Sequence, residues 1–179
     1  EECLKHFGSR PVEWLLANTQ VDASWCLVHA THLTHEETRS LAANGAVVGL
    51  CPTTEADLGD GIFPAHEYLV EGGYFGIGSD SHIVVDGAEE LRLLEFGQRL
   101  LHRKRNLMLT SGRVSTGASL YGMAVQAGAQ ALGFSECGIS VGARANVIAL
   151  DGSAPLLAAK SGDAIIDAFV FSGGRGLVC

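Results

Sequence analysis

The sequence contains no apolar run approaching the length needed to cross a bilayer, and nothing at its amino end resembles a signal peptide. Positive charge is scarce. Lys and Arg number 12 against 20 Asp and Glu, giving a formal net charge of -8. Phosphate backbones and anionic lipid surfaces are therefore repelled, and neither nucleic acid nor a membrane is expected as a partner. The five cysteines (Cys3, Cys26, Cys51, Cys137 and Cys179) include no CxxC pair. That excludes an obvious disulfide framework and fits a reducing cytoplasm. Internal repeats and low-complexity segments are also missing, and the glycines of GIGSDS (76 to 81) do not complete a G-x-G-x-x-G dinucleotide fingerprint. An initiator Met is lacking too: the chain opens on Glu1, and EECLKHFGSRPVEWLLANTQ reads as a helix already under way. The expectation is a fragment of a longer protein.

What is present suits a packed chain. Of its 179 residues, 47% are hydrophobic and 18% charged, with 23 Gly and 4 Pro, a composition of a globular domain with many tight turns. Three short apolar runs, WCLVHA (25 to 30), GAVVGLC (45 to 51) and YFGIGS (74 to 79), alternate with helix-period segments. Parallel strands covered on both faces read in this way, so βαβ units are expected, with Cys26 and Cys51 buried in strands. Thr34 and Glu37 form a T-x-x-E capping box for the first crossover helix, and Gly45 is its stop. FPAHEYLVEGG predicts a shorter helix closed by Gly72 and Gly73, and GAEELRLLEFGQRLLHRKRN a long one. The basic cluster HRKR (102 to 105) falls where that helix should end, and cations there complement its dipole. A further helix is expected from Thr116 to Leu132, with Leu120, Met123, Ala124, Ala127 and Ala131 on one face. From about residue 142 the pattern changes, and ANVIALD and DAIIDAFVFSGG read as strands of a small β domain.

In a parallel α/β fold the carboxyl ends of the strands open on one face, where ligands bind. His29 ends the first run and Asp80 the third. An imidazole beside a carboxylate suits either zinc ligation or proton transfer at neutral pH. Each also has an ordinary structural reading, His29 as a satisfied polar residue and Asp80 as a helix cap. His32 and His35 lie in the following loop and first helical turn, and no spacing marks them as ligands. CPTTEADLGDG (51 to 61) has a simple structural reading, Gly59 and Gly61 allowing tight turns and Asp and Thr satisfying loop backbone groups, and a functional one as a loop shaping the pocket.

LVHATHLT, GLCPTTEADLGDGIFPAHEYLVEGGYFGIGSDSH, LYGMAVQAGAQALG and ISVGARANVIALD resemble, in that order, the later barrel strands and closing segment of the amidohydrolase superfamily. TEADLGDG with SDSH, followed by EELRLLEFGQRL, narrows the likeness to its formiminoglutamate deiminase branch. Chlorohydrolases and guanine deaminases share the broader motifs. Asn146 stands where relatives usually carry Asp.

The resemblance implies strands six to eight of a (β/α)8 TIM-type barrel in residues 1–141, then part of a composite β-sandwich domain in 142–179. It implies a cytoplasmic enzyme acting on a small-molecule substrate, a homodimer at full length, with Zn²⁺ as cofactor. Of the family's zinc ligands only Asp80 is present, the others being expected upstream of residue 1. His29 matches a histidine that, by the resemblance, hydrogen-bonds the zinc-bound hydroxide or the reacting group rather than binding the metal permanently. The 179 residues alone are then expected neither to bind zinc tightly nor to turn over.

Overall fold

The computed structural model describes residues 1–81 and 84–179; His82, at the end of the SDSH motif, and Ile83 lie outside the described residues. Three strands, β1 (Cys26–Val28), β2 (Val47–Leu50) and β3 (Tyr74–Ile77), form a parallel sheet in the order β1-β2-β3. Cys26 pairs with Val47, and Val48 with Phe75. Val47, Val48 and Leu50 of the central strand have no solvent exposure, as a strand covered on both faces requires. The strands are shorter than the apolar runs that predict them, because the chain leaves the ladder before each run ends.

The amino-terminal segment is not one helix but two, α1 (Glu2–Phe7) and α2 (Pro11–Asn18), divided at Gly8, whose φ of 72° ends the first. The crossover α3 (His35–Ala43) starts with the expected capping box: the Glu37 amide donates to Thr34 Oγ1 at 3.1 Å, and the Thr34 amide to Glu37 Oε2 at 2.8 Å. Between β2 and β3 the chain makes two helices, α4 (Pro52–Leu58) and α5 (Ala65–Val70). The expected loop at 51 to 61 is thus helical in its first part. Pro52 supplies a first-turn residue with its φ already set, and Gly59 ends the helix in the left-handed region.

After β3 come α6 (Gly87–His102) and α7 (Thr116–Ala131), both where the periodicity predicts them. α7 packs on β3 and β2. The approach is close: a Cβ built on Gly76 of β3 would lie 3.4 Å from the Gly128 Cα of α7.

The tail departs from expectation. DAIIDAFVFSGG is not a strand but α8 (Asp163–Ala168), continued by a wider helical turn over Phe169–Gly173. Ile165, Ala168 and Phe169, at i, i+3 and i+4, face the core, a pattern that a short apolar run conceals. ANVIALD contributes a single antiparallel bridge, Leu150 with Val178. Leu157, Phe169, Val170 and Leu177 join the same apolar cluster as Val48, Leu50 and Phe75. Cys51 is buried as expected, whereas Cys26 is exposed, because β1 is an edge strand. No helix among the described residues is long and apolar enough to cross a membrane.

Candidate active site

The three parallel strands deliver their carboxyl ends to one end of the sheet, and β1 and β3 flank β2 there. Just past β1, the His29 amide still donates to the Gly49 carbonyl of β2 at 2.8 Å. His29 and Ala30 then turn through the left-handed region, with φ of 64° and 48°, and Asp80 beyond β3 does the same at 41°. L-residues with a side chain pay roughly 1–2 kcal/mol to sit there, and such residues gather at functional sites. The Thr54 hydroxyl of α4 donates to the Ser79 carbonyl at 3.1 Å, holding the loop that carries Asp80.

His29 and Asp80, 51 positions apart in the chain, meet at this end: His29 Nε2 lies 3.5 Å from Asp80 Oδ2, their side chains 36% and 43% exposed. The other ring nitrogen, Nδ1, lies 3.1 Å from Oε1 of Glu55, a carboxylate only 6% exposed. The Cys51 amide donates to that same oxygen at 3.0 Å. The ligand atoms of His29, Cys51 and Asp80 all fall within 4.8 Å of one another.

These donors fit part of a metal shell. Two ligands of a tetrahedral zinc with bonds of about 2.1 Å stand about 3.4 Å apart, close to the His29 to Asp80 spacing. Cys51 suits the role less well. Burial first, then the carboxylates of Glu55, Asp80 and Glu90, push its thiol up to about 11 in the absence of a cation. Glu90 of α6 is itself held above the ordinary carboxylate range, chiefly by burial, although the Thr53 hydroxyl and amide donate to it at 2.5 and 2.9 Å.

The other histidines of the motif stand apart. His35 is exposed with its Nε2 3.0 Å from an Arg39 nitrogen, and His32 is exposed with its carbonyl accepting from Arg10. An apolar groove of about 450 Å³, lined by Ile77, Leu91, Tyr121 and Phe169 among others, includes neither His29 nor Asp80, so chemistry rather than concavity marks this site. Sequence reasoning missed Glu55. The signal was there in Pro52, which starts a helix and sets Glu55 one turn later, beside the strand ends.

The Amidohydrolase family model matches residues 1–176. The formimidoylglutamate deiminase of Pseudomonas aeruginosa is 49% identical over 174 residues, which are 97% of this chain and 38% of that enzyme. A solved amidohydrolase from Brucella melitensis superposes with a TM-score of 0.91 at 48% identity, over 99% of this chain and 39% of the other. An adenosine deaminase from Xanthomonas campestris with bound zinc does so with a TM-score of 0.86 at 25% identity, over the same shares. The chain spans 38–39% of the length of these relatives.

Proposed function

The chain belongs to the amidohydrolase family, and from that premise we propose that it is part of a zinc-dependent deiminase converting N-formimino-L-glutamate to N-formylglutamate and ammonia, a step of histidine degradation. Family membership places it among hydrolytic enzymes acting on C–N bonds. Within the proposal, residues 1–141 are the carboxyl-terminal part of a (β/α)8 barrel, with β1, β2 and β3 as its strands six to eight. Within residues 142–179 the segment bridged at Leu150 and Val178 contributes to a small β domain while α8 packs on the barrel part, the complete enzyme is a cytoplasmic homodimer, and its remaining zinc ligands lie outside these 179 residues. The observation that carries the reading is the convergence of His29 and Asp80, at 3.5 Å, at the carboxyl end of a parallel sheet.

Zinc, when bound, supplies the Lewis acidity that makes water a nucleophile near neutral pH. Asp80 is the carboxylate this chain offers to it, and it accepts the proton that the attacking water gives up. The water oxygen adds to the formimino carbon while His29, facing the same space through Nε2, accepts a hydrogen bond from the tetrahedral species that forms. The bond to the terminal nitrogen then breaks. Both protons of the water end on that nitrogen, one of them relayed by Asp80, and it departs as ammonia.

In the full-length protein, Asp80→Asn is expected to lower ammonia release from N-formimino-L-glutamate by at least about 10³-fold. Undiminished release would remove Asp80 from the mechanism. The likeness to a zinc-bearing adenosine deaminase favours a second reading, deamination of a purine or a related ring. Parallel assays with N-formimino-L-glutamate, guanine and adenosine decide between them, and a higher kcat/KM for either purine compound would overturn the first.

A further inference from the structure

We propose that Glu55 is a positioning residue that fixes the tautomer and the ring orientation of His29. The inference rests on the functional reading of His29 given above and adds the device that aims it. The Glu55 carboxylate is a built feature. Its Oε1 accepts from the Cys51 amide at 3.0 Å and faces His29 Nδ1 at 3.1 Å. The side chain is nearly closed to water, and the helix that carries it is tied down, since the Thr53 amide and hydroxyl both donate to the buried Glu90 of α6.

An ionised carboxylate only accepts hydrogen bonds, so the ring nitrogen facing it must be the one that carries hydrogen. Both ring nitrogens face a carboxylate, and the shorter contact decides: Glu55 lies 3.1 Å from Nδ1 against 3.5 Å for Asp80 from Nε2, so in neutral His29 the hydrogen is on Nδ1 and Nε2 faces Asp80. The backbone makes such a support necessary. With φ at 64°, His29 has already turned out of the ladder, and among the described residues the carboxylates in contact with its ring are those of Glu55 and Asp80. Asp80 is itself on a turning loop and more exposed, so the rigid partner is Glu55. A purely structural Glu55, present only to satisfy the Cys51 amide, would have no reason to share that oxygen with the imidazole.

The test uses the full-length protein with 15N-labelled histidine. Long-range 15N–1H spectra, followed up in pH until the ring is neutral, should show His29 with hydrogen on Nδ1 and a bare Nε2; the opposite tautomer of the neutral ring in the wild-type protein overturns the proposal without any variant. Glu55→Leu removes the acceptor. It should lower kcat about 10- to 100-fold, as loss of an orienting carboxylate typically does, with KM within about 3-fold, zinc content unchanged and the tautomer signature lost. Glu55→Gln keeps an acceptor oxygen of the same reach and should restore the signature and most of kcat. A Leu variant with wild-type kcat, or a Gln variant as impaired as Leu, refutes the positioning role. His29→Ala separates the two readings: if it turns over normally, the role assigned to His29 falls, and the tautomer spectrum still decides on Glu55.

Discussion

That His29 and Asp80 would meet was legible in the sequence, because each closes an apolar run and the carboxyl ends of parallel strands open on one side whatever the loops do. Glu55 is harder to read, because the Thr, Asp and Gly around it match loop composition and obscure the helix start that Pro52 signals. Tyr68 belongs to the same scale. It has no solvent exposure, and its hydroxyl donates to the Ala46 carbonyl at 2.9 Å. A Cβ on Gly73 would fall 2.4 Å from its ring, so only glycine fits beside it. Burial pushes the Tyr68 phenol up from 10.0 to about 12. The fold therefore favours the neutral phenol. Its contribution to stability is full below about pH 10, the unfolded value, and is lost as pH rises through about 12. Urea midpoints measured across that range should fall for the wild-type protein and fall less steeply for Tyr68→Phe. Equal slopes would mean that the phenol titrates alike in both states.

Among the elements, α3, α6 and α7 were readable from periodicity and caps, since each is long enough for an apolar face to repeat. α4 and α8 were not, because at seven and six residues their helical faces barely repeat. What holds α4 is tertiary: Glu90 accepts from the Thr53 amide and hydroxyl at the helix start. Glu90→Leu is expected to leave these donors unsatisfied and to destabilise the protein by about 1–3 kcal/mol in chemical denaturation. Because α4 carries Glu55, kcat should fall with it. A Glu90→Leu protein with unchanged midpoint and unchanged kcat would show that α4 is held by other contacts.

Across the molecule, a three-stranded sheet carries the proposed chemistry, and among the described residues the outer edges of β1 and β3 pair with no strand. Val28, Tyr74, Val85 and Ile148 are exposed. Open edges and bare apolar side chains favour association. The 179-residue chain produced alone is expected to self-associate in sedimentation and to retain no stoichiometric zinc after dialysis, since one carboxylate with one neighbouring imidazole makes an incomplete shell. A monodisperse monomer holding one zinc would contradict both expectations. The most direct test of the whole account is zinc-edge anomalous diffraction from crystals of the full-length protein. The account predicts a zinc peak within about 2.2 Å of an Asp80 carboxylate oxygen, with the His29 ring facing the same space. A fully occupied zinc bound away from Asp80, or His29 and Asp80 at opposite ends of the sheet, would contradict it.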